Sequence, residues 1–438
     1  MKENIRAISL ELLLEIMEQG AFSHSLLNDA LEKYGYLPEQ ERAFLMRLTK
    51  GTVERAIELD YLIDAVSKTK TVKMKPPIRN ILRMGVYQLK YMDSVPDSAA
   101  CNEAVRLAVK KGFAGLKGFV NGVMRTLARE RDRIAYPDRK KEPQRWLSVT
   151  YSLPEWLVGK WCTDYGKDRT ERMAAAFLEP HPTAIRVNTR LISPEELAER
   201  LSKRGITAET VKLPAGSLIN TALFIKGYDT IAGIPEFQQG LFYVQDLTSQ
   251  MIAPLLSPKP GAHIMDVCAA PGGKALHAAE LTGIDGKVIA RDLTRQKTEL
   301  IEENVARTKA DNVLVQCQDA AVLDREKIAW ADGVIADLPC SGLGVLGRKA
   351  DIKYKATAQS LEELAKLQRQ ILDTVWQYVK PGGRLIYSTC TVCRTENEEN
   401  ADWFLRTHPE FQLLEMRQMF PEAGVCDGFF YALFERNM

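Results

Sequence analysis

Two cysteines stand in short motifs whose residue types could carry out covalent chemistry. Cys340 follows Asp337-Leu-Pro, and Cys390 ends Tyr-Ser-Thr-Cys. A thiolate is a strong nucleophile, although a buried structural thiol is the more common role for a cysteine. Cys390 and Cys393 form a CxxC pair, but no second CxxC or histidine pair accompanies it, and zinc needs four ligands. The sequence therefore predicts two candidate reactive thiols and no metal site.

A glycine-rich turn, DVCAAPGGK at residues 266–274, lies between an apolar run and a helical pattern. Gly272 and Gly273 allow the backbone to approach a ligand closely, and the amides that begin the next helix can donate to a carboxylate. The turn has neither the GxxxxGK spacing of a phosphate-binding P-loop nor the GxGxxG of a dinucleotide site. It is therefore a candidate ligand loop of a different kind.

Carboxylates recur at the ends of successive predicted strands. Asp292 closes KVIARD twenty residues after Gly272, which places it to accept the hydroxyls of a ribose. Asp319 closes VLVQCQD and Asp337 closes VIAD, and Asp266 ends the strand before the turn. Any one of these acids could equally be a helix N-cap. Four of them at one edge of a sheet favour a ligand site.

The apolar pattern divides the chain into regions of different character. Residues 5–133 repeat apolar positions at three and four, which predicts an all-α bundle of six or seven helices. Residues 146–227 read as a strand, a helix with Ser193 as N-cap and Pro194 at its first position, and a second strand, ITAETVKL. From Tyr228 onward, short apolar strands alternate with helices, which predicts a doubly wound, mostly parallel α/β sheet.

These regions predict three domains joined by short connections. A charged segment, 131–145, is the predicted linker after the helical bundle. The expected domains are a helical one at 1–140, a small α+β one at 145–227 and an α/β one at 228–438.

Charge is distributed unevenly along a chain that is nearly neutral overall. The 438 residues include 59 Lys and Arg against 57 Asp and Glu. Residues 66–145, however, carry 19 Lys and Arg against 7 Asp and Glu. An excess of this size predicts a polyanionic partner such as nucleic acid, although a solvated helix surface is the usual meaning of any single basic run.

Composition excludes several classes of protein. With 45% hydrophobic and 26% charged residues, the chain is neither disordered nor fibrous. No apolar run approaches the roughly 18 residues of a membrane-spanning helix. Eight dispersed cysteines do not form a disulfide framework, so we expect a cytoplasmic protein.

Taken together, these motifs resemble the Sun-type RNA cytosine-5 methyltransferases, and the helical third is similar to the NusB-like RNA-binding domain. The resemblance implies an all-α NusB-like bundle, a small α+β insert and a Rossmann-like class I methyltransferase domain. The motifs that carry it are RVN at 186–188, VQDLTSQ at 244–250, DVCAAPGGK at 266–274, RD at 291–292, QDA at 318–320, DLPCSG at 337–342, DIKY at 351–354, KPGGRLIYSTC at 380–390 and DGFFYAL at 427–433, with NEAV at 102–105 and KGFVNGVMR at 117–125 in the helical third.

The resemblance also implies roles for individual residues. Asp292 would hold the ribose of S-adenosylmethionine, Asp319 would meet its adenine amine, and Asp337 would border both cofactor and target base. Cys390 would be the nucleophile and Cys340 would help to release the product. The methionine part of the cofactor would be held by Cys268, Ala269, Ala270, Pro271, Gly272, Gly273 and Lys274.

Two positions depart from the family pattern, and neither is assigned a catalytic role. Ala275 stands where Thr or Ser often follows the lysine, and Lys297 replaces a common Arg.

The chemistry of cytosine explains why these residue types are needed. Carbon 5 is too poor a nucleophile to attack a methyl sulfonium, so a thiolate, that of Cys390, must first add to carbon 6. A protonated Asp337 could then quench the charge that develops toward N3. Cys340 is the nearest candidate to remove the carbon-5 proton, and Lys274 could lower the pKa of a nearby thiol.

The resemblance implies small-subunit (16S) ribosomal RNA as the substrate, either naked or in an early assembly particle, and a monomeric enzyme. The basic helical domain could position an RNA loop through its phosphates without reading its bases. Three alternatives remain open: an RNA-binding assembly factor with an inactive methyltransferase scaffold, a methyltransferase acting on transfer RNA or another ribosomal site, and a dinucleotide-dependent oxidoreductase. The histidines form no ligand pattern and are expected to be structural or surface residues: His24, His181, His263, His277 and His408.

Overall fold

The computed structural model describes residues 4–180, 182–211, 219, 221–421 and 425–438. His181 and the last two residues of the predicted strand ITAETVKL, 212 and 213, lie outside the described residues. The chain forms two compact units. One contains Met1–Leu178 and Leu346–Lys355, and the other contains Glu179–Val345 and Ala356–Met438.

The α-helices found within these ranges alternate with strands only after residue 180. They are α1 (Ile5–Glu18), α2 (Ser23–Lys33), α3 (Glu39–Val66), α4 (Pro76–Tyr91), α5 (Asp97–Lys110), α6 (Lys117–Glu130), α7 (Pro143–Tyr151), α8 (Glu155–Tyr165), α9 (Lys167–Ala176), α10 (Pro194–Ser202), α11 (Pro235–Gln238), α12 (Leu247–Gln250), α13 (Ile252–Leu256), α14 (Gly273–Thr282), α15 (Arg295–Thr308), α16 (Ile352–Lys355), α17 (Ala358–Val375) and α18 (Glu398–Thr407).

The strands all belong to the second unit. They are β1 (Thr183–Val187), β2 (Thr207–Thr210), β3 (Ala222–Lys226), β4 (Phe242–Val244), β5 (His263–Asp266), β6 (Lys287–Asp292), β7 (Val313–Cys317), β8 (Ala331–Asp337), β9 (Val379–Thr389), β10 (Phe411–Met419) and β11 (Phe429–Arg436).

The helical unit is built around α4, whose apolar residues are buried on nearly every side. Pro76 and Pro77 begin this helix, where their missing N–H groups cost no hydrogen bond. A Cβ at Gly51 of α3 would lie 2.0 Å from the ring of Tyr87, so only glycine lets α3 and α4 approach this closely. The predicted all-α N-terminal bundle is confirmed, and α7–α9 extend helical structure to Ala176, beyond the point at residue 146 where a mixed region was expected.

A short segment from far along the chain completes the helical unit. Residues 346–355 contain the DIKY motif and lie in sequence between two strands of the large sheet, yet they pack among the helices of the N-terminal third. The hydroxyl of Tyr354 donates to the carbonyl of Val53 (2.7 Å), and Nζ of Lys353 donates to the carbonyl of Glu54 (2.6 Å). Burial lowers the pKa of Lys353 to about 7, with Glu54 opposing that shift.

The small sheet of the second unit is antiparallel, with strand order β2-β3-β1-β4. Helix α10 connects β1 to β2, and the hydroxyl of Ser193 accepts a hydrogen bond from the amide of Glu196, as the N-cap prediction required. Pro194 occupies the first turn, also as predicted. Strand β4 comes from residues 242–244, beyond the predicted boundary at 227.

The large sheet has the strand order β10-β11-β9-β8-β5-β6-β7. Strands β9, β8, β5, β6 and β7 are parallel, while β11 pairs antiparallel with β9 and with β10. The predicted mostly parallel, doubly wound sheet is therefore confirmed.

Alternate residues of the large sheet face two separate apolar cores. Ile264 and Ile335 pack with residues of α13, α14 and α15, whereas Met265 and Val334 pack with residues of α17 and α18. Helices thus cover both faces of the sheet, which leaves the carboxyl ends of its parallel strands as the open edge where ligands bind in folds of this type.

Candidate active site

The glycine-rich turn connects β5 to α14 and is fixed by main-chain hydrogen bonds. The amide of Ala269 donates to the carbonyl of Arg291 (2.7 Å), and the amide of Gly272 donates to the carbonyl of Ala269 (2.6 Å). Gly272 has a φ of 108°, a conformation that side chains rarely adopt, so glycine is required at this position. The Ala270–Pro271 peptide bond is cis.

Asp292 ends β6 and lies directly beside this turn. Its Oδ2 accepts a hydrogen bond from the amide of Ala270 (3.0 Å), its Oδ1 accepts one from the amide of Leu293 (2.8 Å), and Lys297 lies 3.1 Å from Oδ1. A carboxylate has about four acceptor sites, so Asp292 retains capacity for further donors.

Asp319 lies on the same side of the sheet but in a different setting. The prediction that it closes a strand over 313–319 is wrong, because β7 ends at Cys317. Asp319 is exposed, and its Oδ1 accepts a hydrogen bond from the amide of Ala321 (2.9 Å) within a turn. Because the side chain is exposed, its carboxylate is accessible to further donors.

Lys274 and Asp337 form an ion pair at the carboxyl ends of the central strands. Nζ of Lys274 lies 2.6 Å from Oδ2 of Asp337, and the hydroxyl of Ser388 donates to Oδ1 (2.7 Å). Burial opposes the charge of Lys274, but Asp337, Asp266 and Cys390 together raise its pKa above the ordinary value. Lys274 therefore stays a cation, and Cys390 lies within its electrostatic reach.

Asp266 is a buried acid beneath this pair whose character the sequence did not reveal. It is 1% exposed, and neither carboxylate oxygen has a well-aligned donor among the described residues. Burial raises its pKa to about 8, with Lys274 opposing and Asp337 adding to the shift. At neutral pH it is therefore mostly a neutral acid. The one signal in the sequence that could have singled out Asp266 is its position at the end of β5.

The two candidate thiols, fifty residues apart in sequence, meet at this edge. Sγ of Cys340 and Sγ of Cys390 lie 3.4 Å apart. The hydrogen bond to Cys390, together with burial, raises the pKa of Cys340 well above that of an ordinary thiol. Cys340 therefore keeps its proton, and Cys390 interacts electrostatically with the Lys274 cation. The burial of Cys268 likewise raises the pKa of its thiol, so this residue of the turn is neutral.

The RVN and VQD motifs have a structural function in this fold. Arg186 is fully buried, and its guanidinium donates to Glu280 of α14 (2.6 Å) and to Gln245 (2.8 Å). Asn188 donates to the carbonyl of Gly240 (3.0 Å). Arg186 thereby joins the small sheet to the helix that follows the glycine-rich turn.

The described histidines and acids form no cluster that could hold a metal ion. His277 is buried, and its burial, with Arg186 nearby, lowers its pKa well below the ordinary value. His263 stacks on Trp330 at 4.7 Å between ring centroids, and His408 packs among aromatic rings. His24 lies at the surface of the helical unit.

The basic run of the helical unit is not uniformly solvent-exposed. Arg79 pairs with Glu18 (2.7 Å) and Arg83 pairs with Asp60 (2.6 Å). Both cations are at least partly buried and already have an acidic partner within the helical unit. The exposed Lys and Arg residues of 66–145 are Lys68, Lys70, Lys73, Lys75, Arg106, Lys110, Lys117, Arg125, Arg129, Arg133, Arg139, Lys140, Lys141 and Arg145. No helix in the described ranges is long and apolar enough to cross a membrane.

The strand order, the glycine-rich turn after β5 and the acids that end β5, β6 and β8 define a Rossmann-like methyltransferase. Comparison with known proteins agrees. Residues 253–435 match the family model described as 16S rRNA methyltransferase RsmB/F, residues 3–129 match the NusB family, and residues 153–225 match the ferredoxin-like domain of RsmF/B-like methyltransferases.

Full-length relatives place the chain more closely. It is 36% identical over 427 residues to the "Probable ribosomal RNA small subunit methyltransferase B" of Bacillus subtilis, covering 96% of this chain and 92% of the relative. It is 31% identical to the ribosomal RNA small subunit methyltransferase B of Erwinia tasmaniensis, covering 98% of each. The crystal structure of PH0851 matches with a TM-score of 0.82 at 27% identity, covering 99% of this chain and 98% of that one. The chain belongs to the RsmB/F methyltransferase family, of the B type with a NusB-like N-terminal domain.

Proposed function

We propose that this protein transfers a methyl group from S-adenosylmethionine to carbon 5 of a cytidine in 16S ribosomal RNA, through a covalent bond between Cys390 and carbon 6. The observation that carries the proposal is the 3.4 Å approach of Cys340 and Cys390 beside the Lys274 cation. The names of the full-length relatives support ribosomal RNA of the small subunit as the substrate.

The donor set at the edge of the sheet fits S-adenosylmethionine. Asp292 accepts hydrogen bonds and has spare acceptor sites for ribose hydroxyls, and the exposed Asp319 is available to an amine. The turn over 268–274, with the first amides of α14, would hold the methionine part. When bound, S-adenosylmethionine supplies an electrophilic methyl group.

The two cysteines have different roles in the proposed reaction: Cys390 forms the covalent bond to the ring, and Cys340 acts in release of the product. Lys274 is a cation within electrostatic range of Cys390, and a nearby cation favours a thiolate, so Cys390 is suited to add to carbon 6 and raise the electron density at carbon 5. The raised pKa of Cys340 keeps its thiol protonated in the free protein. Once carbon 5 is methylated, Cys390 is bound to the ring, and a base must take the carbon-5 proton before the thiol can leave.

Cys340 is the group we assign to that release step, directly or through a bound water molecule. Cys340 first gives its own proton to solvent, and its thiolate then takes the carbon-5 proton. The electron pair of that carbon–hydrogen bond forms the C5–C6 double bond, and the bond from carbon 6 to Sγ of Cys390 breaks with its electron pair returned to Cys390.

Asp337 is held by two donors, Lys274 and Ser388. In the proposed mechanism its side chain borders the target base. For the acid function toward N3, this carboxyl group would first take up a proton from solvent and give up its ion pair with Lys274. Asp337→Asn, which retains the shape and adds a donor, tests that function by its effect on turnover.

The deciding experiment incubates the protein with labelled S-adenosylmethionine and unmodified 16S ribosomal RNA, with transfer RNA in parallel, followed by digestion to nucleosides. We expect 5-methylcytidine in the ribosomal RNA alone, none with Cys390→Ala, and a stalled covalent protein–RNA adduct with Cys340→Ala. Label in transfer RNA alone would contradict 16S ribosomal RNA as the substrate. Absence of cofactor binding by calorimetry would favour an inactive scaffold.

A further inference from the structure

A buried carboxylate lies behind the two cysteines and contacts the loops that carry them. Glu396 follows Cys390 by six residues and has no exposed surface. Its Oε2 accepts hydrogen bonds from the amide of Ser341 (2.9 Å) and from Nε2 of Gln368 (3.1 Å), while its Oε1 accepts from the hydroxyl of Ser341. Three donors from two separate parts of the chain therefore converge on one side chain.

The same network reaches both cysteine loops. Ser341 is the residue after Cys340 and Thr391 is the residue after Cys390, and their hydroxyl oxygens lie 2.7 Å apart. Glu396 holds Ser341 by both its main chain and its side chain, so Ser341 has little freedom to move relative to Thr391. The spacing of the two sulfur atoms is thereby coupled to the position of one carboxylate.

Glu396 is itself fixed from behind. Gln368 of α17 donates to the carbonyl of Pro339 (2.9 Å) as well as to Glu396, and its Oε1 accepts from Tyr387 (3.0 Å) and Asn400 (2.8 Å). Asn397, the next residue, accepts from the hydroxyl of Thr389 (2.6 Å) and donates to the carbonyl of Thr391 (3.0 Å).

Burial raises the pKa of Glu396, while the hydrogen bonds from Ser341 and Gln368 oppose that shift. Glu396 also adds to the rise in the pKa of Cys340, behind the larger effects of Cys390 and burial. A buried carboxylate is costly to maintain without donors, so the network is expected to keep Ser341 in place.

We propose that Glu396 is a positioning residue that sets the placement of Cys340 against Cys390 and so governs release of the methylated base. The inference rests on the proposed function, because it requires the covalent bond from Cys390. In the proposed mechanism Cys340 takes no part in forming that bond, whereas release needs Cys340 in register with Cys390. Loss of Glu396 therefore slows release more than it slows addition.

The test compares Glu396→Ala and Glu396→Gln with the parent protein, using 16S ribosomal RNA and S-adenosylmethionine. Glu396→Ala is expected to accumulate a covalent protein–RNA adduct although both cysteines are present, with kcat lower on the order of 100-fold and the KM for S-adenosylmethionine within about two-fold. Glu396→Gln keeps an oxygen that can accept from Ser341 and is expected to restore part of the release rate.

Glu236→Gln is the matched control, because Glu236 is a buried carboxylate paired with Arg204 in the small subdomain of the same unit. It is expected to show no adduct. If Glu396→Ala does not fold, Ser341→Ala, which removes the hydroxyl shared by Glu396 and Thr391, is expected to accumulate adduct in its place.

Release at the parent rate in folded Glu396→Ala, or in Ser341→Ala where the former is unfolded, overturns the positioning role. An adduct in Glu236→Gln equal to that in the Glu396 variants overturns it as well, since general destabilisation would then suffice. Failure of the proposed function is distinguishable, because Cys340→Ala would then trap no adduct.

Discussion

Lys274 of the glycine-rich turn interacts with Asp337 and with Cys390. It stands at the first turn of α14, pairs with Asp337 at the end of β8 and is close enough to Cys390 for their charges to interact. One cation therefore serves a carboxylate and a thiol at the same time. The effect of removing it should appear first in the reactivity of Cys390.

Lys274→Met is expected to lower the alkylation rate of Cys390 at pH 7 by about ten-fold, because the nearby cation favours the reactive thiolate. The rate is measured by mass spectrometry after timed exposure to iodoacetamide. Lys380→Met is the control, because Lys380 forms a similar pair with Asp332 (2.7 Å) but lies near the start of β9, at the opposite end of the strands. Equal rates for both variants would contradict an electrostatic role for Lys274.

Asp266 gives the methyltransferase unit a defined pH dependence of stability. Its pKa is raised by burial to about 8, against about 3.9 in an unfolded chain. Between these values the folded chain holds a proton that the unfolded chain releases. Its contribution to stability is therefore full below about pH 4, falls as the pH rises and is lost above about pH 8.

Asp266→Asn, which cannot ionise, is expected to flatten this dependence. In the parent protein, Asp266 contributes a slope of at most about 1.4 kcal/mol of unfolding free energy per pH unit, and the variant should lack this contribution. Urea unfolding at pH 5, 6.5 and 8 measures it in the parent and the variant. The same slope in both would show that Asp266 is not the titrating group.

At the scale of elements, the ligand site depends on how strand ends are connected. Strands β5, β6 and β8 end at Asp266, Asp292 and Asp337, and parallel pairing brings all three to one edge of the sheet. The helix that follows β5 is held from outside the sheet by Arg186. Because Arg186 and Glu280 are both buried, that anchor is sensitive to loss of either partner.

Arg186→Met is expected to destabilise the protein by about 3–5 kcal/mol, since it leaves Glu280 as a buried charge without its partner. The double variant Arg186→Met with Glu280→Leu should recover much of this loss, because apolar replacements of a buried pair are often tolerated. Urea unfolding measures the stability of both variants.

Arg200→Met is the control. It removes an exposed ion pair with Glu196 and is expected to change stability by less than about 1 kcal/mol. A loss for Arg186→Met as small as that for Arg200→Met would contradict the anchor role.

At the scale of the whole molecule, the excess positive charge of the helical unit matches a polyanionic substrate. Lys110, Lys117 and Arg125 are exposed, and glycines beside them at 112, 115, 118 and 122 leave open space above the backbone. Such a surface allows phosphates to approach closely, and it should contribute affinity that depends on salt.

Lys117→Ala and Arg125→Ala are each expected to weaken binding to 16S ribosomal RNA and to reduce the slope of log Kd against log salt concentration by about one. Filter binding at 50 to 300 mM KCl would measure the slope. Lys203→Ala is the control and should leave the slope unchanged, because Lys203 is an exposed lysine directly after α10 and is paired with Glu199. An unchanged slope in Lys117→Ala and Arg125→Ala would place the RNA on another surface.

Most of the elements could be predicted because their signals are local. The helical periodicity of the first third and the N-cap at Ser193 depend on neighbours within one or two turns. The end of β7 was predicted two residues too late, at Asp319 instead of Cys317, because pairing with β6 decides where the strand ends and the apolar pattern does not. The count of basic residues over 66–145 includes Arg79 and Arg83, and a sequence does not show that Glu18 and Asp60 lie opposite them.

The sequence by itself determined the fold class, the order of the helical, mixed and α/β regions, and the motifs that resemble a methyltransferase. Local periodicity and turn chemistry suffice for these. Only the tertiary structure decided that Cys340 and Cys390 meet at 3.4 Å, that Asp266 is buried enough to stay protonated, and that residues 346–355 pack among the helices of the N-terminal third. Distances between residues remote in sequence, and the desolvation that follows from them, arise only when the whole chain is packed.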